Sequence, residues 1–327
     1  MRKAVSAVRR AVFLLCGLPL LSLTMVRSIS AQTGESASGA TISVDVNLVM
    51  LPATVTDRKG NFVPGLQPSN FHVFEDGIPQ TIRIFQHEDV PVAVGLVVDN
   101  SSSMRTKRED VSVAALAFID SSNSKDQMFV VNFNEHVTFG LPAGDAFSST
   151  RSDLDQALNG VPANGMTALY DAIEAGLDHV QQSPLDRKVL IVISDGGDNA
   201  SHRTLKQVLD TGGHANVLIY TIGLFDEDDT DRNPGVLKKI ARETGGEAYL
   251  PEKIGELTRI CKRIAEDIRN QYSIGYVPAN RKYSGTYRNI RVTATGPHGE
   301  HLSVRTRSGY LASPQGEEVT TAHGKLP

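Results

Sequence analysis

The chain has 327 residues, of which 40% are hydrophobic and 21% charged, and its formal net charge is −4. This length allows two domains of about 150 residues each, and the composition is that of a soluble globular protein rather than a disordered or membrane-embedded chain. The acidic balance excludes a strongly basic nucleic-acid-binding domain.

Residues 1–31 have the layout of a cleaved secretory signal peptide. Basic residues come first, an apolar run follows at 11–23, and small residues at 28–31 precede Gln32. We therefore expect an extracytoplasmic protein, either secreted or periplasmic. The alternative is an uncleaved membrane anchor, but Pro19 interrupts the run, which is shorter than the ~18 residues that a spanning helix needs.

Cleavage makes the chain more acidic and leaves it a single cysteine. The segment holds five of the 33 basic residues and no acidic ones, so the mature chain has 28 basic and 37 acidic residues, a net charge of about −9. Only Cys261 remains, so we expect no internal disulfide and a small, buried apolar side chain on a helix. Neither a nucleic-acid partner nor a membrane span is expected for the mature protein.

The segment that follows the leader peptide predicts one part of a small β-sandwich, at 41–90. Residues 32–40 are small and polar, which indicates a flexible leader. Alternation then predicts a strand whose inward face carries every second residue, namely Ile42, Val44, Val46, Leu48 and Met50. Further strands are predicted at 71–75 and 81–85, with turns at 57–61 and 76–77.

Residues 91–271 predict an α/β domain with a Rossmann-like, doubly wound and mostly parallel sheet. Continuous β-branched runs are typical of strands buried on both faces, and they lie at 92–98, 128–133, 189–193 and 217–224. Helical patterns lie at 106–120, 168–182, 204–209, 236–243 and 254–270. This alternation indicates right-handed βαβ units. An antiparallel edge hairpin at 137–141 and a short strand at 247–250 complete the sheet.

Strand patterns return at 272–312, with strands predicted at 272–277, 287–294 and 302–305. The two β segments, 41–90 and 272–312, are expected to pair into a single sandwich into which the α/β domain is inserted. The alternative is two independent β tails, each of which would have exposed strand edges. Residues 313–327 lack apolar periodicity and predict a flexible tail.

Three polar clusters follow predicted strands or open predicted helices. They contain Asp99, Ser101 and Ser103 in the first, Thr167 in the second, and Asp195 in the third. In open α/β sheets ligands bind beyond the carboxyl ends of the strands, so these clusters are expected to meet. Taken singly, each also has a structural interpretation as a helix N-cap or a turn, and a capping box of Thr106 and Glu109 is predicted for the first helix.

This set of oxygen ligands suits a hard divalent cation. Serine and threonine hydroxyls with two carboxylates favour Mg²⁺ or Mn²⁺, whereas Ca²⁺ suits the set less well because it usually takes more carboxylates and a larger shell. Since most of the oxygens are neutral, a bound cation would stay electrophilic. A carboxylate from another molecule is expected to fill an open position.

The motif Asp99-x-Ser101-x-Ser103, followed by Thr167 and by Asp195-Gly196, resembles the metal-ion-dependent adhesion site of von Willebrand factor type A domains. The segments GMTALYDAI and ISDGGDN are similar to those of bacterial members, and the resemblance covers 92–270. It implies that the five residues ligate the metal directly or through water and that an Asp or Glu of a protein partner completes the shell. Asn164 stands where a second glycine is common before the threonine.

The flanks are similar to those of secreted bacterial proteins of the VWFA-related type. The resemblance favours a secreted or envelope adhesion module that is not an enzyme. One alternative is a metal-assisted hydrolase or phosphoryl-transfer enzyme, but Ser101 stands where such phosphatases place a second Asp, and the chain has no HExxH, GxSxG or Walker A motif. Another is a structural envelope component with a vestigial site.

Two further acidic features have open interpretations. Asp198 is expected to be either a solvated loop carboxylate or a group that approaches the metal indirectly. The acidic stretch at 225–229 is interpreted as a solvated loop, with a second cation site as the alternative.

Overall fold

The computed structural model describes residues 48–226, 231–280 and 285–312. The predicted signal peptide (1–31), leader (32–40) and tail (313–327) lie outside these residues. Within the described ranges, no helix has both the length and the apolar character needed to cross a membrane.

The described part of the chain contains fourteen strands, six α-helices and three short 3₁₀ helices. The strands are β1 (Val49–Thr56), β2 (Phe71–Glu75), β3 (Ile78–Gln80), β4 (Ile82–Gln86), β5 (Ala93–Asp99), β6 (Gln127–Phe133), β7 (Val137–Phe139), β8 (Lys188–Ser194), β9 (Leu218–Gly223), β10 (Ala248–Tyr249), β11 (Tyr272–Tyr276), β12 (Tyr287–Thr295), β13 (His301–Arg305) and β14 (Gly309–Leu311). The helices are α1 (Arg108–Ser121), α2 (Arg151–Asn159), α3 (Leu169–Val180), α4 (Leu205–Ala215), α5 (Pro234–Thr244) and α6 (Leu257–Arg269). The 3₁₀ helices are Pro68–Asn70, Ser102–Lys107 and Ile254–Glu256.

A six-stranded sheet with the order β10-β9-β8-β5-β6-β7 forms the central region. Every neighbouring pair is parallel except β6 and β7, which form the predicted antiparallel hairpin. Every residue of β5 is buried, as its continuous apolar run requires. From β5 the chain goes to β6 on one side and later to β8 on the other, so the strand order reverses at β5 and opens a crevice beyond its carboxyl end.

The helices pack in two groups, α1 with α2 and α6, and α4 with α3 and α5. Helix α2 is not among the sequence predictions, because only Leu154, Ala157 and Leu158 of its nine residues are buried, too few for a clear helical period. The predicted capping box of Thr106 and Glu109 is wrong. The 3₁₀ helix continues directly into α1, whose first turn has no side-chain cap.

Strands from both flanks are hydrogen-bonded to one another, as predicted. Strand β1 pairs with β11 and β13, β2 with β12, and β4 with β11. Together with β3 and β14 they form one eight-stranded hydrogen-bonded set. Its hydrophobic core is separate from that of the central sheet, which also contains the buried Cys261. Burial raises the pKa of this thiol to about 12. The two-layer sandwich stays a prediction.

The predicted inward face of the first strand is wrong at Leu48 and Met50, the two of its residues that the structure describes; Ile42, Val44 and Val46 lie outside the described residues. Leu48 is 39% exposed and Met50 is half-buried, whereas Val49, Leu51 and Ala53 are in the core. The buried apolar residues are the odd-numbered ones, as far as Val55. The face of β1 that packs into the described core is therefore shifted by one residue from the predicted face. A shift of one residue moves every side chain of a strand to the opposite face.

Two buried carboxylates hold the flanks together and attach them to the central region. The Glu75 carboxylate forms an ion pair of 2.7 Å with Arg288 and accepts hydrogen bonds from the hydroxyls of Tyr276 and Tyr310. The Asp267 carboxylate on α6 accepts from Thr54 Oγ1 at 2.6 Å and from Tyr220 at 2.9 Å, and it pairs with Arg305. Each acid therefore has both a cation and hydroxyl donors, which is what a buried charge requires.

Candidate metal site

The first cluster lies where β5 ends. Asp99 is the last residue of β5 and is fully buried. Its Oδ1 accepts a hydrogen bond from the backbone N–H of Ser101 at 2.8 Å, and its Oδ2 accepts one from Ser194 Oγ at 2.6 Å. Both bonds fix the direction of the carboxylate. Burial, together with a smaller effect of the nearby charge of Asp195, raises its pKa to about 6.

The two serine hydroxyls connect this cluster to the third one. Ser101 Oγ and Ser103 Oγ lie 3.1 Å apart, and Ser103 Oγ donates to Asp195 Oδ2 at 2.5 Å. Asp195 follows β8, is buried, and accepts the backbone N–H of Gly197 at 2.9 Å with its other oxygen. Four of the five predicted ligands thus lie in one continuous chain of polar contacts.

The second cluster is held against the other two by its backbone. The carbonyl of Gly165 accepts the N–H of Ser102 at 3.2 Å, and the carbonyl of Thr167 accepts the N–H groups of Asn199 and Ala200, each at 3.0 Å. The side chain of Thr167 is buried. Its hydroxyl has no hydrogen-bond partner among the described residues, so it is free to act as a ligand. The structure therefore brings all three predicted loops together.

A glycine shapes the loop that carries the threonine. Gly165 has φ +80°, and a Cβ at this position would overlap the carboxylate of Glu135. That carboxylate accepts the backbone N–H of Met166 at 2.8 Å, which holds the turn before Thr167. Only glycine meets both conditions without strain. The turn is thus formed with Asn164 in place of a second glycine.

The two carboxylates of the site are not neutralised by a basic side chain among the described residues. No described lysine or arginine forms an ion pair with Asp99 or Asp195. Their nearest polar neighbours are hydroxyls and backbone amides. Within the described residues there is also no group of three or more His, Cys, Asp or Glu side chains placed to hold a metal. The donor set is therefore hydroxyl-rich, which fits a hard divalent cation better than a soft one.

Several residues that support the site were missed from the sequence. Ser194 orients Asp99, and Asn199 accepts the N–H of Thr167 at 2.9 Å. Lys107 is buried and donates to the backbone carbonyls of Ser103 at 3.2 Å and Leu224 at 3.3 Å. Its spacing from Ser103 gave no signal, because both lie in the 3₁₀ helix Ser102–Lys107, in which residues four apart do not share a face. Glu135 gave no signal either, since it lies in the turn between β6 and β7, remote in the chain from Gly165.

The two further acidic features have other partners. Asp198 accepts from Ser201 Oγ at 2.5 Å and from the N–H of Tyr170 at 3.2 Å, so this half-buried carboxylate is held at the start of α3 and is not a fully solvated loop group. Its indirect approach to a metal stays a prediction. From the acidic stretch, Asp226 forms an ion pair with Lys107 at 2.8 Å and is about half exposed. Residues 227–229 lie outside the described ranges.

Several solved structures are similar to this chain. The chain is similar to a von Willebrand factor type A protein from Catenulispora acidiphila, with 15% identity and a TM-score of 0.50 over 75% of this chain and 74% of that one. It is also similar to proximal thread matrix protein 1 from the mussel byssus, solved with a zinc-occupied MIDAS motif, with 19% identity and a TM-score of 0.49 over 60% of this chain and 50% of that one. The vWF domain of the type V pili tip protein Mfa5 from Porphyromonas gingivalis shares 13% identity, with a TM-score of 0.47 over 55% of this chain and 95% of that one.

The sequence itself carries the family signal. No curated protein sequence is detectably similar to the whole chain. The family model described as von Willebrand factor type A domain matches residues 94–263, a span that contains β5 to α6 almost entirely and all three loops of the candidate site. Because this span is more than half of the 327 residues, the chain belongs to the von Willebrand factor type A domain family.

Proposed function

We propose that this protein is an extracytoplasmic adhesion module, secreted or held in the cell envelope, and not an enzyme. It binds Mg²⁺ or Mn²⁺ through Asp99, Ser101, Ser103, Thr167 and Asp195, and it engages an Asp or Glu of a protein partner. The observation that carries this proposal is the convergence of three loops on a hydroxyl-rich, cation-free pair of carboxylates at the reversal point of the sheet.

A bound divalent cation supplies an electrophilic position to which the partner's carboxylate attaches. The chain's own residues prepare that position. Ser194 and the N–H of Ser101 fix Asp99, and Gly197 fixes Asp195, so little reorganisation is needed on binding. Because three of the five proposed ligands are neutral hydroxyls, the cation is offset by only two carboxylates, which keeps it more attractive to an external acid than an all-carboxylate set would.

The surroundings of the site favour binding over catalysis. Acid–base catalysis needs a group that transfers a proton at the reacting atoms. Among the described residues, the lysine that lies closest along the chain to these loops is Lys107, and its ammonium is buried and engaged by two carbonyls and Asp226. Met166, next to Thr167, is 54% exposed. This apolar side chain beside the cation position suits contact with a protein surface.

The flanks are proposed to be a two-layer β-sandwich made of 41–90 and 272–312, into which the domain at 91–271 is inserted. Its support is a shared apolar core in which Val49 and Phe71 from the first flank pack with Tyr272 and Tyr276 from the second. A module built in this way brings both ends of the inserted domain to one side, away from the loops that would bind the partner.

Metal-dependent capture of a partner tests the proposal. The immobilised protein is exposed to the extracytoplasmic fraction of its own cells, with Mg²⁺ or with EDTA, in wild-type, Asp99→Asn and Asp145→Asn forms. Asp145 is an exposed loop residue outside the site, so its variant is a matched control. The expected partner is retained by wild type and Asp145→Asn with Mg²⁺, and it is lost with EDTA or with Asp99→Asn. If the partner is retained equally with EDTA and by the Asp99→Asn variant, an adhesion role for this site is refuted.

A further inference from the structure

A second polar feature lies between the flanks and the central domain. A cleft of ≈ 440 Å³ is bounded by α5, β10, β12 and the segment from β13 to β14. Five basic residues line it, and Glu247 is its one acidic lining residue. The basic residues are Lys238, Arg242, Arg291, Arg305 and Arg307. None of the candidate metal ligands borders this cleft, so it is a separate positive region on a chain of net charge −4.

Only two of these five cations have acidic partners. Arg305 pairs with Asp267 and with Glu247, and Arg242 pairs with its neighbour Glu243 at 2.9 Å. The other three form no ion pair with any described residue. These three are Lys238, Arg291 and Arg307. None of the three has a carboxylate counter-ion in the part of the protein that the structure describes; the guanidinium groups of Arg291 and Arg307 lie over the rings of Phe74 and Tyr310, at 4.6 Å and 5.5 Å.

Arg307 is the most unusual of the three. One of its terminal nitrogens donates to the carbonyl of Met50 at 3.0 Å, but its Nε is buried without a hydrogen-bond partner, and so is Thr306 Oγ1 beside it. Burial lowers the pKa of this guanidinium. A desolvated charge without a counter-ion is unfavourable. A small rotation towards the adjoining cleft would let an anion there satisfy both the charge and the free donor.

The backbone around Arg307 is held in place. Gly245 has φ +84° at the end of α5, and a Cβ there would overlap the backbone of Thr306 and Arg307. Arg305 donates to the carbonyl of Gly245 at 3.1 Å. The segment from 305 to 307 is therefore packed against the helix end, so the backbone on this wall of the cleft is fixed before any ligand arrives.

We propose that this cleft binds a multiply charged anion of the phosphate class. Guanidinium groups bind phosphate oxygens through paired hydrogen bonds, and three cations without a carboxylate counter-ion favour a dianion over a single carboxylate. The volume lies within the usual range for small-ligand sites, roughly 300–1,000 Å³. The phosphate belongs either to a free ion or to a lipid headgroup. The proposal does not depend on the metal site.

Calorimetry with inorganic phosphate tests the cleft directly. The wild-type protein is titrated in EDTA at constant ionic strength, with chloride as the reference anion, beside Arg307→Gln, Arg291→Gln and Arg58→Gln. Arg58 is exposed and does not border the cleft, so its variant controls for loss of a positive charge. Loss of a charge-assisted hydrogen bond weakens binding about tenfold. We expect that weakening for Arg307→Gln, a smaller one for Arg291→Gln, and none for Arg58→Gln or Asp99→Asn.

Flotation with vesicles identifies the source of the phosphate. Phosphatidylcholine vesicles with and without phosphatidic acid are incubated with the same variants. Binding to inorganic phosphate alone assigns a free ion, and binding to phosphatidic acid that is lost in Arg291→Gln assigns a headgroup. Because Arg291 is exposed, its variant tests the proposal even if Arg307→Gln does not fold. Absence of binding in both assays, or binding that both variants leave unchanged, overturns the proposal.

Discussion

Buried carboxylates occur in two regions of this protein, and their surroundings differ. In the flanks and at their junction with the central domain, Glu75 and Asp267 each pair with an arginine and accept two hydroxyl hydrogen bonds. At the carboxyl edge of the central sheet, Asp99 and Asp195 have hydroxyl and amide donors but no ion-pair partner among the described residues. The first region is electrostatically complete, and the second is the one that we propose a cation completes.

Absence of a cation is not sufficient to mark a binding site. Asp126, before β6, is also buried without an ion pair, and it accepts the backbone N–H groups of Val92 at 2.8 Å and Asn123 at 3.1 Å. Burial raises its pKa to about 6, as it does for Asp99. The distinction is that hydroxyls from other loops converge on Asp99 and Asp195, whereas Asp126 accepts from two backbone amides, one in its own turn and one just before β5.

The strongest test of this contrast removes the cation from the flank. Arg288→Met leaves Glu75 buried with only two tyrosine hydroxyls, and breaking a buried ion pair costs about 3–5 kcal/mol. Guanidinium chloride unfolding measures the loss. The double variant Glu75→Gln/Arg288→Met, which buries no charge at this position, is expected to recover part of it. A loss below about 1 kcal/mol would mean that the pair behaves like a surface salt bridge.

The opposite result is expected when a carboxylate is removed from the sheet edge. Asp99→Asn removes an unpaired buried charge, so in EDTA it should be at least as stable as wild type. With metal at 100 times its Kd, wild type gains about 2.7 kcal/mol and Asp99→Asn gains none. Thermal unfolding with and without Mg²⁺ measures both differences. An equal gain in wild type, Asp99→Asn and the control Asp145→Asn would show that the metal acts elsewhere.

The loop before Thr167 offers a finer test of preorganisation. Gly165→Ala places a side chain at φ +80° and against the Glu135 carboxylate, whereas Gly60→Ala has a similar φ of +82° with nothing within 4 Å. Both changes should cost about 1–2 kcal/mol in backbone strain. Only Gly165→Ala should also weaken Mn²⁺ affinity, by several-fold, because it displaces the acceptor that holds Met166. Equal metal affinities in the two variants would argue against a preorganised threonine loop.

The last test concerns pH. Because the pKa of Asp126 is raised from 3.8 to about 6 in the folded protein, the folded state binds this proton more tightly than the unfolded state does. Its contribution to stability is therefore full below pH 3.8 and is lost as the pH rises through about 6. In urea unfolding, the free energy of unfolding of Asp126→Asn should increase relative to that of wild type as the pH rises from 4 to 7. A pH-independent difference, like that expected for Asp145→Asn, would contradict the assignment.

The parts that sequence predicted well are those encoded locally. The apolar run of β5 and the hydroxyls that follow it are contiguous, so the strand, its burial and the positions of Asp99, Ser101 and Ser103 could be predicted together. Thr167 and Asp195 were predicted to approach them because the carboxyl ends of parallel strands share one edge of a sheet. The family motif supported the same assignment independently.

What could not be predicted depends on partners that are remote in the chain. Glu75 and Arg288 are 213 residues apart, and neither has a local pattern that indicates burial. The inward face of β1 is set by its pairing with β11, since two alternating apolar sets were available from the sequence. Helix α2 and the Glu135 contact have the same explanation, because short or isolated polar features acquire their roles only through packing.

The most direct test of the central claim is to locate the cation. Crystals of the wild-type protein are soaked in Mn²⁺ and measured for anomalous scattering, with Asp99→Asn crystals as the reference. We predict one anomalous peak between the three loops, within coordination or one-water distance of Asp99, Ser101, Ser103, Thr167 and Asp195. No peak is expected there in Asp99→Asn. A well-diffracting, Mn²⁺-saturated wild-type crystal without that peak would contradict the account.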